Sequence, residues 1–159
     1  MVRNPHFFKA KSKLGAINKL IRQDHYISGV EDAPDYILTP EFLKSFPRSD
    51  VSEYSFSLPE KVSEGNYYQI LAKELDEFTD LINRELKPSQ TQVVIGGDNT
   101  VTFASLAAVL KRTDISSVGY IQFDSHGEMH LYKSSISKNF HGMYMRPFFD
   151  RFDIEGIEK

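Results

Sequence analysis

Three ionisable side chains follow an apolar segment in the decapeptide IQFDSHGEMH, residues 121–130. They are Asp124, His126 and Glu128, and in an extended chain their alternate spacing places them on one face. Two carboxylates that converge there would repel each other unless a cation lies between them. Oxygen-rich ligands with a single nitrogen favour Mn²⁺, Mg²⁺ or Fe²⁺. The spacing therefore indicates a divalent-metal site that activates water, although a solvated polar loop after a strand has the same pattern.

A second polar segment, Gly96-Gly97-Asp98-Asn99, follows the β-branched run Val93 to Ile95. Its glycines allow a close approach of the backbone. Asn99 offers a neutral oxygen ligand, and Asp98 could orient a neighbouring ligand through a hydrogen bond. The alternative interpretation is a helix cap, because Asn99 or Thr100 would cap a following helix well. Capping by one of these two residues leaves the other available to a metal.

The third polar segment is Ser137 to Gly142, a loop rich in serine and asparagine that contains His141. Such a loop would form a suitable rim for a polar substrate. Three of the five histidines of the chain fall between positions 126 and 141. This clustering favours a functional role for the region, whereas a lone loop histidine is usually only solvated.

The elements that must position these segments alternate between helix and strand. An apolar stripe at helical period predicts a helix from Tyr67 to Leu86, which Pro88 ends. The elements predicted after it are a strand at Gln92–Ile95, a helix at Thr100–Leu110 and a strand at Val118–Phe123. This alternation predicts βαβ units on a parallel sheet, an α/β fold in which ligands bind at the carboxyl ends of the strands.

The first 65 residues give weaker signals. The elements predicted there are a strand at His6–Ala10, one or two helical turns at Leu14–Ile21, a helix within Asp35–Phe46 and a strand at Glu53–Leu58. The better-defined elements therefore begin at Asn66.

The composition fits one globular domain and excludes several function classes. The chain has 159 residues, of which 40% are apolar and 26% charged, and its net charge is −3. This balance gives no reason to expect nucleic acid or an anionic membrane as a partner. The chain has no cysteine, which excludes a zinc–sulfur cluster and suits a reducing compartment. Neither a leader peptide nor a membrane-length apolar run is found, so we expect a cytoplasmic protein.

Three segments together resemble a known family. VVIGGDNTVT, IQFDSHGEMH and SISKNFHGM are similar to the ordered signatures of the arginase, agmatinase and formiminoglutamase group, the ureohydrolases. That family carries Gly-Gly-Asp-His before a helix, Asp-Ala-His-x-Asp after a strand, and then a Ser-x-Asn-x-His-Gly loop. SGVEDAP also resembles a loop near the N-terminus of family members. The resemblance implies a three-layer α/β/α domain with a mainly parallel sheet.

The resemblance further implies a site with two Mn²⁺ ions that share a bridging hydroxide. Two cations make hydroxide available near neutral pH and position it against the carbon of a guanidino or amidino group, so that a linear C–N bond is hydrolysed. On the matched positions, Asp124 would bridge both metals. Glu128 and Asn99 would serve one ion, and His126 the other.

The same resemblance assigns roles around the metals. His141 would move protons at the mouth of the site, so Asp124 and His141 are the candidate catalytic residues. Ser137 and Asn139 would hold the far end of the substrate. His130 also lies in the substrate region, where arginases prefer asparagine, so an agmatine-like or other guanidino substrate is as good a hypothesis as arginine, and a formiminoglutamate-like substrate stays open. Family members are usually oligomers, and we expect a homo-oligomer.

Three departures from the family pattern bear on activity. Asn99 stands where the family most often has histidine, and an amide oxygen is the weaker ligand. Glu128 replaces an aspartate. The third signature, an Asp-x-Asp strand end that completes both metals, is absent from the 159 residues. We therefore expect residues 1–159 to be a single arginase-like domain, the N-terminal half of a ureohydrolase with an incomplete metal site.

Two other functions stay open from the sequence. The altered residues Asn99 and Glu128, with the missing half, would suit a catalytically impaired homologue or fragment that acts as a scaffold or binding domain. A phosphate-binding module built on Gly96-Gly97 is the third hypothesis, and it is the weakest because no lysine follows the glycines.

Overall fold

A three-stranded parallel sheet forms the centre of the computed structural model, which describes residues 3–16, 29–57 and 64–149. The strands are β1 (Asn4–Lys11), β2 (Asp50–Ser55) and β3 (Gln90–Gly96), in the order β2-β1-β3. In the register of the sheet, Phe7 of β1 lies beside Val51 of β2 and Val93 of β3. Because the strands are parallel, their carboxyl ends share one edge of the sheet.

Helices connect and cover these strands. They are α1 (Ala33–Ile37), α2 (Pro40–Leu43), α3 (Glu64–Glu85) and α4 (Val101–Leu110). Short 3₁₀ turns lie at Leu14–Ala16, Val30–Asp32, Ile115–Ser117, Phe140–Gly142 and Arg146–Phe148. Across the described ranges, every helix is too short or too polar to cross a membrane.

Both faces of the sheet are covered, because successive side chains of β1 point to opposite sides. Phe8 and Ala10 are fully buried in the main core, which also contains the apolar faces of α3 and α4. On the other face, the ring of Phe7 lies 5.9 Å from the ring of Phe42 and 5.3 Å from that of Phe46. The α/β class and the parallel sheet predicted from the sequence are confirmed.

Helix α3 has the amphipathic pattern that the sequence predicts. The buried residues of its core face, none more than 1% exposed, are Tyr67, Leu71, Leu75, Phe78 and Ile82. Their spacing of three or four residues places them on one side of the helix. Burial of each such side chain contributes about 1.5–3 kcal/mol. Packing of this face therefore fixes α3 against the sheet.

The strand predicted at Val118–Phe123 is wrong. This segment forms no regular structure, and its side chains Ile121 and Phe123 are 81% and 98% exposed. A strand exists only where a neighbour completes its hydrogen bonds. Within the part of the chain that the structure describes, β3 pairs with β1 alone and offers no bond to this segment. An apolar pattern typical of a buried strand therefore lies on the surface.

Three boundaries in the first half also differ from those predicted. The helix predicted within Asp35–Phe46 is divided into α1 and α2 at Pro40, because proline has no N–H for a continuing helix. The strand predicted at Glu53–Leu58 begins at Asp50 and ends at Ser55. Of the helical turns predicted at Leu14–Ile21, the structure describes one 3₁₀ turn, and residues 17–21 lie outside the described residues, as does Leu58.

Candidate metal centre

The turn after β3 places the second polar segment, Gly96 to Asn99, at the carboxyl edge of the sheet. A Cβ atom added to Gly97 would lie 2.1 Å from the carbonyl oxygen of Ser12 and 2.5 Å from that of Val30. A Cβ atom added to Gly96 would lie 2.2 Å from a methyl carbon of Val101. No side chain fits at these distances, so the chain passes here only because both residues are glycine.

Asp98 caps helix α4. Its Oδ1 atom accepts a hydrogen bond from the backbone N–H of Thr100 at 2.8 Å, and its Oδ2 atom accepts one from the hydroxyl of Ser12 at 3.0 Å. Thr100 occupies the N-cap position of α4, one of the two predicted alternatives, but the side-chain hydrogen bond is made by Asp98. The side chain of Thr100 makes no capping bond, and its buried hydroxyl has no partner among the described residues.

This cap bears on two of the earlier predictions. The carboxylate of Asp98 is directed at the start of α4 and at Ser12, so the structure gives it no hydrogen bond to a metal ligand. A negative charge already occupies the helix N-terminus, where a phosphate would have to bind. The geometry thus argues against the phosphate-binding hypothesis for Gly96-Gly97.

Four predicted ligands lie together beyond this turn. The amide nitrogen of Asn99 donates to Oδ2 of Asp124 at 3.3 Å. The Nδ1 atom of His126 lies 3.6 Å from Oδ1 of Asp124 and 3.6 Å from Oε1 of Glu128. One ligand atom from each of Asp124, His126 and Glu128 falls within 4.8 Å of the others. These three residues, which we call the ligand cluster, have the spacing to hold a cation.

Backbone hydrogen bonds hold the ligand cluster in place although its segment is not a strand. Oδ1 of Asp124 accepts from the backbone N–H of His126 at 3.0 Å, which closes a tight turn. Glu128 adopts a left-handed conformation with φ of 51°, and its carbonyl accepts from the N–H of Met145 at 3.1 Å. The N–H of His130 donates to the carbonyl of Gly142 at 3.2 Å. Backbone hydrogen bonds to residues 142–145 therefore hold the segment that carries Glu128.

The supporting segment is itself anchored in the core. Met143, Tyr144 and Met145 are at most 3% exposed, and Phe140 is fully buried. The ring of Phe140 lies 5.6 Å from that of Phe103 in α4, in an edge-on arrangement. The loop at residues 140–145 thus contacts α4 through Phe140 and holds the backbone of Glu128 through Met145.

The electrostatics of the ligand cluster favour a cation. Glu128 is only 6% exposed, and its Oε1 atom lies 3.6 Å from Nδ1 of His126. Burial, and then the negative charge of Asp124, raise the pKa of the Glu128 carboxyl, whereas His141, His126 and His130 act in the opposite direction. A buried carboxylate beside a second negative charge is costly. Two carboxylates and one imidazole are a donor set that suits Mn²⁺ or Mg²⁺, so these residues fit a divalent ion.

The third polar segment lies beside the cluster, but two of its predicted substrate ligands are engaged elsewhere. The amide nitrogen of Asn139 donates to the carbonyl of Ala16 at 3.0 Å. The hydroxyl of Ser137 accepts from the N–H of Asn139 at 3.3 Å. His130 and His141 lie close enough to act on the charge of Glu128. The roles of these four residues in substrate binding and proton transfer stay predictions.

No sequence motif pointed to Tyr144, which also lies next to the cluster. It is 3% exposed, and its hydroxyl lies 3.3 Å from the hydroxyl of Tyr120. Burial is the main cause that raises the pKa of Tyr144, and the charge of Glu128 adds to it. A tyrosine in the apolar run Met143 to Met145 belongs to no motif, so only the fold could reveal this contact.

Comparisons with known proteins point to one family. The model of the Arginase family matches residues 21–155. An arginase of Staphylococcus aureus strain MRSA252 is 31% identical over 77 residues, which are 46% of this chain and 25% of that protein.

Solved structures are similar over nearly the whole chain. The crystal structure of Bacillus subtilis arginase matches with a TM-score of 0.73 at 18% identity, and the match covers 98% of this chain and 49% of that one. The structure of Entamoeba histolytica arginase in complex with L-ornithine matches with a TM-score of 0.70 at 23% identity, over 92% of this chain and 49% of that one. The chain thus spans about half the length of these solved relatives and shares their fold.

Proposed function

Because this chain belongs to the arginase family, we propose that it forms the metal-binding part of a ureohydrolase-like enzyme, which hydrolyses a linear C–N bond of a guanidino or amidino compound. The observation that carries the proposal is the buried carboxylate of Glu128, which lies beside Asp124 and His126 with the spacing of a metal site. A cation between the two carboxylates would offset their mutual repulsion.

The metal that we propose is Mn²⁺, held by Asp124, His126 and Glu128. When bound, this cation would supply an activated water near neutral pH and polarise the carbon that is attacked. The chain contributes the other requirements. The buried residues 143–145 fix the backbone of Glu128, and the two carboxylates of the cluster provide the negative charge that retains a cation.

His141 is the residue that we propose for proton transfer to the leaving amine. It follows the buried Phe140, which holds it at the edge of the cluster, and its charge acts on Glu128. Imidazole side chains are the groups that most often transfer protons in enzyme sites. His130, Ser137 and Asn139 would face the far end of the substrate. For Ser137 and Asn139 this requires side-chain bonds different from those they make here.

The relatives suggest the chemical class of the substrate but not the individual compound. The Entamoeba histolytica arginase is described with L-ornithine, a linear compound that ends in an amine. We propose a linear guanidino or formimino compound for this chain, with arginine-like, agmatine-like and formiminoglutamate-like molecules as the set to test. A cytoplasmic location, which the lack of cysteine suits, and self-association belong to the same proposal.

A second candidate function is a catalytically impaired member of the family that acts as a scaffold or binding domain. It is favoured by Asn99, whose amide nitrogen faces Asp124, so that the amide oxygen does not join the three other ligands in the arrangement observed. This arrangement would lower activity without removing the fold.

The two functions are separated by assaying the purified chain with Mn²⁺ and a panel of L-arginine, agmatine and formiminoglutamate. The hydrolase predicts release of urea or formamide that requires Mn²⁺ and is lost in Asp124→Asn. Binding of Mn²⁺ without any release from the panel would support the impaired homologue instead. A chain that neither binds Mn²⁺ nor hydrolyses a substrate would contradict the metal-dependent proposal.

A further inference from the structure

The arrangement of Asn99 differs from what the resemblance implies for two metal ions. In the binuclear site that the resemblance implies, Asp124 would bridge most simply with one carboxylate oxygen for each metal, and Asn99 would offer its amide oxygen as a ligand. In the structure, Oδ2 of Asp124 accepts a hydrogen bond from the amide nitrogen of Asn99 at 3.3 Å. The opposite orientation of the amide would set two acceptor oxygens against each other, because an ionised carboxylate only accepts.

His126 and Glu128 also lie close enough together to serve the same ion. Nδ1 of His126 lies 3.6 Å from Oε1 of Glu128 and 3.6 Å from Oδ1 of Asp124. Donor atoms that surround one small divalent cation at about 2.1 Å lie roughly 3.0–3.5 Å from their neighbours. The observed separations are close to those of a single coordination sphere.

We propose that Asn99 is a positioning residue that donates a hydrogen bond to Asp124, and that Asp124, His126 and Glu128 hold one divalent cation. Oδ1 of Asp124 faces His126 and is the atom on the metal side, whereas Oδ2 is held by Asn99. A hydrogen bond to the far oxygen of a ligating carboxylate orients the ligand and tunes its affinity. This inference rests on the proposed function, since it concerns the same site.

The first experiment counts the metal ions bound to the purified chain. Titration with MnCl₂, followed by calorimetry and by electron paramagnetic resonance, is expected to give one Mn²⁺ per chain with the six-line spectrum of an isolated ion. Two ions per chain, or a spectrum of exchange-coupled Mn²⁺ pairs, would overturn the inference and leave the proposed hydrolase intact. No binding of Mn²⁺ would overturn both.

The second experiment asks whether Asn99 touches the metal. Removal of a ligand opens a coordination position to water, and each added water increases the water-proton relaxation rate per bound Mn²⁺. Asn99→Ala is expected to weaken Mn²⁺ binding about 10–100-fold, as loss of a supporting hydrogen bond does. At saturating Mn²⁺ it should leave the relaxation rate per ion unchanged. An increase in that rate would show that Asn99 is a ligand and would overturn the inference.

Two variants calibrate the measurement. His126→Ala removes a ligand from a side chain that is 75% exposed, so it should raise the relaxation rate per ion without affecting folding. Gln69→Ala removes an amide from the exposed face of α3 and should change neither affinity nor relaxation. None of these readouts requires turnover. A single bound ion without hydrolysis would therefore sustain the inference while it favours the impaired homologue.

Discussion

At the scale of single residues, the ligand cluster contains a buried carboxyl group whose charged form is unfavourable. Glu128 is 6% exposed, and its carboxyl group lies near the negative charge of Asp124. Its backbone is also in the left-handed region, at φ of 51°, which costs free energy for a side chain other than glycine or asparagine. Residues held in this way are typical of functional sites, where the surrounding fold enforces them.

We predict that Glu128→Gln stabilises the metal-free protein and removes its response to Mn²⁺. Loss of a buried negative charge should raise the free energy of unfolding by about 1 kcal/mol at neutral pH, which corresponds to a rise in Tm of roughly 2–4 °C. Thermal unfolding with and without MnCl₂ is the measurement. Glu41→Gln, which removes a surface carboxylate whose side chain is 81% exposed, serves as the control. A lower Tm for metal-free Glu128→Gln would contradict the prediction.

The glycine turn before the cluster gives a second prediction at this scale. Gly97→Ala would place a Cβ atom 2.1 Å from a backbone oxygen of Ser12, which cannot move as a flexible side chain does. We expect a loss of about 2–4 kcal/mol in the free energy of unfolding.

Gly119→Ala is the matched control for this turn, because an added Cβ atom there meets nothing within 4 Å. Chemical denaturation of both variants measures the difference. Equal stability of the two variants would show that the turn is not as closely packed as described.

At the scale of secondary-structure elements, a polar network joins the strands at the edge of the sheet opposite to the cluster. His6 of β1 is 4% exposed, and its Nε2 atom lies 2.7 Å from the hydroxyl of Ser52 in β2. That hydroxyl donates to the carboxylate of Glu85 at the end of α3. Asp50 accepts from the side chains of Lys87 and Gln90, each at 2.7 Å. Together these bonds connect all three strands with α3.

This network predicts a pH dependence of stability. The hydrogen bond from Ser52 lowers the pKa of Glu85 below its ordinary value of 4.5, and that from Lys87 lowers the pKa of Asp50 below 3.8. A carboxyl group whose pKa is lower in the folded state stabilises the fold above its unfolded-state pKa. That contribution is lost as the pH falls through the folded-state value.

We therefore expect Glu85→Gln to flatten the fall in unfolding free energy between about pH 5 and pH 3, relative to the unmodified chain. Urea denaturation at several pH values provides the measurement. Asp76→Asn, an exposed position on α3, should follow the unmodified chain. An acid profile of Glu85→Gln that is as steep as that of Asp76→Asn would count against the role of the network.

At the scale of the whole molecule, the segment between α4 and the ligand cluster leaves an apolar surface exposed to solvent. Tyr120, Ile121 and Phe123 are 41%, 81% and 98% exposed. In addition, β3 presents an edge strand, which among the described residues pairs with β1 alone. Exposed apolar segments and open strand edges promote association between chains.

Polar substitution of this surface should therefore improve solubility without loss of stability. For Phe123→Ser we expect a change in unfolding free energy within about 0.5 kcal/mol, together with less binding of a hydrophobic dye and slower aggregation. Phe103→Ser, at a core position that is 4% exposed, should instead lose about 3–5 kcal/mol. Similar destabilisation by the two substitutions would show that Phe123 is packed against another part of the chain.

The amino-acid sequence by itself determined the features that depend on near neighbours. The three- and four-residue spacing of apolar side chains fixed helix α3, and Gly96-Gly97 fixed the turn before α4. The alternation Asp124, His126, Glu128 marked the ligand cluster, because residue type and short spacing are local properties. Its similarity to family signatures supplied the α/β fold.

Only the tertiary structure decided the features that depend on distant residues. Whether residues 118–123 form a strand depends on a neighbour that no local pattern specifies. Capping by Asp98 depends on Ser12, and the burial of Glu128 depends on residues 142–145. The direction of the Asn99 amide depends on where Asp124 lies. Hydrogen-bond partners and burial are set when segments far apart in the chain meet, which is why the sequence named the ligands but not their arrangement.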